Sequence, residues 1–360
     1  MLTVKTGVIL GATLCATAAV AGGIERNAPS TSILFEDGRY LEFSGRVVAP
    51  DLTGTGGSPQ PVGNTGNLLE TYFSLGFAYK ADINDRLSYA VIINEPWGVD
   101  TDYPVAAGGY GGTVAELTSY SLSGILAYDA TPAFKLYAGA RVQSMEATAT
   151  IPFLGSYSVA ASQDYGYGYL VGAAFSKPEI ALRIALTYYS EIEHSLNTAE
   201  SFVGGSLDAK TGITTPQAIN LEFQTGIAAD TLVFGSIRWV DWSSFAISPP
   251  LYTGTVVGSP LVDYAEDWTN YTIGVGRRFN ENWSGAIIGS YEPATNTVLT
   301  TLGPIDGRTS IGLAVTRTSG NVKFTAGASY VWLGEANNVL GTHFSDGSAI
   351  VAGFKIGIAL

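Results

Sequence analysis

Two histidines, one cysteine and a scatter of arginines and carboxylates are the groups on which chemistry could rest in this 360-residue chain. His194 is followed directly by Ser195, and a nucleophilic hydrolase would need that imidazole to take the serine's proton. The second histidine is His343. Both fall in or beside segments that read as long surface loops, where loop polarity accounts for them without catalysis. No metal-ligand spacing and no glycine-rich phosphate-binding motif occurs, so no enzyme activity, no metal and no cofactor are expected. A third set is Arg141, Arg183, Glu222, Arg238, Lys323 and Lys355, which share one parity of alternating segments. Such charges either meet the carboxylate of an amphipathic ligand or pair among themselves in an internal network.

The elements that position these charges are strands. After Arg39 nearly every segment alternates with period two, the signature of a sheet with two unlike faces. Tyr120, Leu122, Leu126 and Tyr128 share one parity against Ser119, Ser121 and Ser123; Ile184, Leu186 and Tyr188 oppose Arg183, Ala185 and Thr187. Slipping the register by one residue would exchange the faces, so the register is strongly specified. The runs number about fourteen, each near the ~10 residues of a membrane-crossing strand. The last run, with Ile350, Phe354, Ile356, Ile358 and Leu360 on one parity, reads as a closing strand.

Composition says what such faces are for. The chain is 46% hydrophobic but only 14% charged, against ~25% charged residues in average soluble proteins. After the N-terminus no apolar stretch approaches the ~20 residues of a spanning helix. A closed barrel facing lipid is the other way to hide so much apolar surface. Lys5, the short apolar run 7–14 and the small residues Ala19 and Ala21 form a secretory signal cleaved after Ala21. The single cysteine, Cys15, lies within it, so the mature chain is expected to have no disulfide and no thiol chemistry. A net charge of −13 argues against nucleic acid as a partner.

Connection lengths give the topology. Long connections (50–68, 97–115, 197–216, 248–264, 293–306) and two medium ones (151–159, 336–346) alternate with tight turns, as in barrels with long extracellular loops and short periplasmic turns. Trp97, Tyr103, Trp239, Trp242, Trp283, Tyr291 and Trp332 suit interfacial girdles. Of these, Trp97, Tyr103 and Trp242, together with Phe245, are also candidates for first capture of a ligand, because exposed apolar surface on a loop marks binding.

Several segments in order resemble the FadL/TodX family of outer-membrane long-chain fatty-acid and hydrocarbon transporters. They are 42–50 with its glycine-rich sequel, 78–103, 185–193 (ALTYYSEIE), 215–245 (TPQAINLEFQTGIAADTLVFGSIRWVDWSSF) and 267–293 (DWTNYTIGVGRRFNENWSGAIIGSYEP). The resemblance implies an all-β transmembrane barrel of fourteen strands, an N-terminal hatch in the lumen, ligand capture from outside and sideways exit through the wall. The family's hatch carries Asn-Pro-Ala; here Asn27, Ala28 and Pro29 stand in a loosely similar place, and Asn27 and Pro29 are the hatch candidates. Residues 22–38, roughly 17 at ~3.3 Å each, are too few for a compact plug, which implies simpler gating or a more open lumen.

The reading is therefore a signal peptide over 1–21, a hatch-like segment over 22–38 and a barrel over 39–360. It is expected to be a monomer in contact with outer-membrane lipid and lipopolysaccharide, passing a hydrophobic or amphipathic small molecule passively. Two other readings stay open: a general diffusion porin for small polar solutes, and a lipid hydrolase using His194 and Ser195.

Overall fold

The alternating segments close into one wall. The computed structural model describes residues 23–57 and 63–360; the signal expected over 1–21, with Lys5 and Cys15, lies outside them. The wall consists of β1 (Tyr40–Gly56), β2 (Tyr72–Asp82), β3 (Leu87–Asn94, resumed as Gly98–Asp102), β4 (Val114–Thr131), β5 (Phe134–Ile151), β6 (Tyr157–Lys177) and β7 (Leu182–Tyr189, resumed as Ile192–Phe202). It continues through β8 (Gly205–Thr215, resumed as Ala218–Ala228), β9 (Thr231–Val240), β10 (Trp268–Arg278), β11 (Trp283–Glu292), β12 (Arg308–Ser319), β13 (Val322–Leu333) and β14 (Thr342–Ala359). Each strand pairs antiparallel with the next, and β14 returns to β1 from Tyr40–Ala359 up to Gly56–Thr342. Closure removes the sheet edge, so backbone donors and acceptors are met within the wall, as lipid requires.

Side-chain direction follows the alternation. On β4, Tyr120, Leu122, Leu126 and Tyr128 are exposed on the outer face, while Ser119, Ser121 and Ser123 are buried on the inner one. The tight turn at residues 229–230 holds Asp230 at φ 57°, where Arg278 Nε donates to its carboxylate at 2.8 Å.

One expected loop is instead wall. Residues 197–216 continue as strand to Phe202 and return from Gly205, paired from Gly205–Phe202 to Thr215–Ile192. Inner Leu196, Thr198 and Glu200 still alternate with outer residues, but the outer ones, Ser195, Asn197, Ala199 and Ser201, are polar or small. A wall that rises above lipid has no apolar outer face, so the pattern weakened where the strand did not. The girdle splits too: Trp283, Tyr291 and Trp332 are exposed outside and Trp239 is half-buried, whereas Trp97, Tyr103 and Trp242 are buried inside.

Candidate functional site

Residues 23–38 run through the lumen rather than below it. From the bottom, Lys323 Nζ meets Glu36 at 3.0 Å, and the Arg183 guanidinium lies 4.3 Å over the Phe35 ring. Ser30 Oγ donates to Glu222 at 2.8 Å. The Pro29 carbonyl accepts from Asn220 Nδ2 at 2.8 Å and the Tyr189 hydroxyl at 3.3 Å. The Asn27 carbonyl accepts from Asn94 Nδ2 at 3.3 Å. Arg238, on β9, grips Glu25 through Nη2 at 2.5 Å and Nε at 3.0 Å. The segment is short, yet side chains of β3, β7, β8, β9 and β13 hold it.

Above it sits an apolar chamber of about 50 Å³ lined by Ile24, Val99, Leu117, Ile213, Ile247 and Leu302 among others. That is a third of the ~150 Å³ that accommodates benzene in an engineered protein cavity, so cargo of that size must widen it. Among the described residues no basic side chain lines the chamber, and the one acid there, Glu116, sits on the exposed outer parity of β4. The chamber's roof is pinned by buried Glu200, whose carboxylate accepts from the backbone N–H of Leu251 and of Tyr252, each at 3.0 Å, and from the Tyr157 hydroxyl at 2.8 Å. Burial pushes the phenols of Tyr103, Tyr252 and Tyr264 upward, so these three hydroxyls stay protonated near neutral pH.

The wall has a gap beside the chamber. β2 pairs with β1 as far as Val48–Tyr72, but with β3 only from Asp82–Ser88 to Phe77–Ile93. β3 then breaks at residues 95–97, where Pro96 has no N–H to offer a ladder. The excess residue bulges inward against β4, and Ser119 Oγ serves both the Trp97 N–H (2.9 Å) and its carbonyl (2.8 Å). Pairing resumes above, with the Glu70 N–H donating to the Asp100 carbonyl at 3.1 Å. A window is left between residues 72–76 and 94–98, with Phe73 and Leu75 exposed on its outer sill. A passage lined by Arg26, Glu70, Tyr72 and Asp100 leads to it and shares Val99, Leu302 and Gly303 with the chamber.

The residues singled out in the sequence fall as follows. Arg141, Arg183, Glu222, Arg238, Lys323 and Lys355 all point inward; Lys355 meets Glu42 at 3.2 Å, and Arg141 Nη1 donates to the Ser190 carbonyl at 3.5 Å. Trp97, Trp242 and Phe245 are not exposed loop aromatics. They are buried with Tyr264 and Trp268 in one stack, Trp97 to Trp242 at 5.4 Å and Trp242 to Phe245 at 5.4 Å, and Gly23 at φ 69° lies against Trp242. Tyr103 is buried apart from them, donating to the Thr301 carbonyl at 2.7 Å. His194 lies on the wall strand β7, not in a loop, with Nε2 3.1 Å from Gln143 Oε1. Ser195 is exposed on the opposite face, so the two form no dyad.

Sequence reasoning missed Glu25, Arg26, Glu95, Gly98 and Asp100. The one available signal was Pro96 inside an otherwise alternating run, since proline in a strand marks a bulge or a break.

The pattern of a family described as outer membrane protein transport protein (OMPP1/FadL/TodX) matches residues 49–301. The chain belongs to this family. A member of it is a transport protein of the bacterial outer membrane, in keeping with the non-enzymatic reading, and its short turns face the periplasm. Among solved structures, this FadL/TodX-family barrel is similar to a Pseudomonas aeruginosa FadL homologue, at TM-score 0.75 and 13% identity over 96% of this chain and 98% of that one. It is also similar to the P. putida toluene transporter TodX (TM-score 0.69, 14% identity, 92% of each chain). The Ralstonia pickettii toluene transporter TbuX follows at TM-score 0.64 and 16% identity over 96% and 97%. Likeness at these identities establishes the fold. No curated protein matches the sequence.

Proposed function

We propose that this protein takes up small hydrophobic or amphipathic molecules, of the aromatic-hydrocarbon or fatty-acid kind, by passive diffusion from outside into the apolar chamber and sideways through the wall window into the lipid. The observation that carries the reading is the continuity of the chamber, through Val99, Leu302 and Gly303, with a passage that opens at the β2–β3 gap. Two of the similar structures are described as toluene transporters, which supports an apolar cargo.

In this reading the segment around Asn27 and Pro29 is the hatch, and the six inward charges form a network that organises the lumen. The Trp97, Trp242 and Phe245 stack is the chamber's neighbouring wall rather than a capture surface. A general porin is disfavoured because residues 23–38 cross the lumen where polar solutes would pass. Residues 1–21 are read as an export signal and the barrel as monomeric.

Proteoliposomes containing the purified barrel test this. Labelled toluene or laurate entering above the protein-free rate, with no flux of a small sugar, is the expected outcome. Sugar flux alone would replace the reading with that of a porin.

A further inference from the structure

The side chain that bridges the two edges of the window, Arg26, does not belong to the wall. Arg26 Nη1 donates to Glu95 Oε1 at 2.6 Å, Nη2 pairs with Asp100, and the guanidinium lies 4.6 Å over the Tyr72 ring. Glu95 and Asp100 stand on the β3 edge of the gap and Tyr72 on the β2 edge, so the planar cation spans the opening. Its backbone is fixed as well. The Arg26 N–H donates to the Pro96 carbonyl at 2.8 Å, and Arg46 of β1 donates to the Arg26 carbonyl. Room for the guanidinium comes from Gly98, where a Cβ would lie 2.5 Å from Arg26 Cζ.

We propose that Arg26 is the bolt of the lateral window: cargo leaves the chamber only when Arg26 releases Glu95 and Asp100 and swings away with its segment. This rests on the transport reading above and goes beyond it by assigning gating to one residue and its two carboxylate receivers. A buried guanidinium held by two carboxylates and an aromatic face is a directional catch, because the planar fork matches carboxylates and stacks on rings in a way an ammonium does not. The three atoms that a Cβ at position 98 would meet first all belong to Arg26, so the glycine makes way for the bolt.

The test is the initial rate at which radiolabelled toluene passes from the external solution into vesicle lipid through reconstituted full-length barrels. All variants are first checked to run as folded barrels on unheated electrophoresis. Arg26→Met is expected to raise the rate several-fold and Arg26→Lys to lie between it and the parent. Gly98→Ala, which displaces the guanidinium without touching a charge, is expected to raise the rate too. The paired substitution Asn27→Cys with Asn94→Cys, bridged by a short bis-maleimide that adds to both thiols, is expected to bring the rate down to that of protein-free vesicles. Folded Arg26→Met and Gly98→Ala barrels at the parental rate, or undiminished transfer by the bridged barrel, overturn the bolt. If even the parent transfers no toluene, the transport reading itself falls.

Discussion

Among the interrupted wall strands, β3, β7 and β8, the breaks of β3 and β7 are closed in different ways. At residues 190–191 β7 breaks, its ladder with β6 lapses between Leu170–Tyr189 and Ala161–Thr198, and groups of the wall itself bridge the opening. The Ser190 N–H donates to the Tyr169 carbonyl at 3.0 Å and Ser190 Oγ accepts from the Tyr169 N–H at 2.9 Å. Arg141 takes up the freed Ser190 carbonyl. On β6, Gly166 and Gly168 leave the space that Ile192 fills. At residues 95–97 Ser119 of the wall holds the bulged Trp97, and the rest of the closure is a docked segment, tied on by its backbone at Pro96 and Gly98 and by side chains from Arg26 at the gap to Arg238 across the lumen. A break sealed by covalently contiguous strands is permanent; one sealed by a docked peptide can open.

Four substitutions break or sharpen that contrast. Arg238→Met strands the buried Glu25 carboxylate and is expected to weaken docking of residues 23–38 by about 3–5 kcal/mol. Faster amide exchange over those residues and faster toluene uptake would be the readouts. Gly166→Leu drives a side chain into Ile192 and His194 and is expected to cost about 1–3 kcal/mol of barrel stability in denaturant titration. Uptake stays at the parental rate. If Gly166→Leu speeded uptake and Arg238→Met did not, the two breaks would have exchanged roles.

Arg141→Met removes the donor to the Ser190 carbonyl, an expected loss of about 1–3 kcal/mol. The ratio of laurate to toluene uptake should be unchanged; a selective fall in laurate would make Arg141 a carboxylate anchor instead of a seal. Ser190→Ala is the mildest, about 0.5–1.5 kcal/mol, read as a small shift in the unfolding midpoint with uptake unaltered.

The fold was legible because the barrel writes itself in period two. Leu122 against Ser123, or Leu186 against Thr187, states which face meets lipid without any knowledge of neighbours. The same rule placed Arg141, Arg183 and Lys355 inside. It failed over residues 197–216, where wall above the lipid has polar residues on its outer face. It also misplaced Trp97 and Trp242, because an aromatic near a strand end can turn either way and only packing decides.

What the sequence determined by itself is the strand set, its faces and its closure, since each follows from local alternation and the cost of a polar group in lipid. Only the tertiary structure decided the site. Glu25 and Arg26 lie in a segment with no period, some 70 residues before Glu95 and Asp100 and more than 200 before Arg238. Nothing local encodes those meetings. They exist because a closed wall brings distant strands around one lumen and leaves a short peptide inside it, whose charges must be paired where water is scarce.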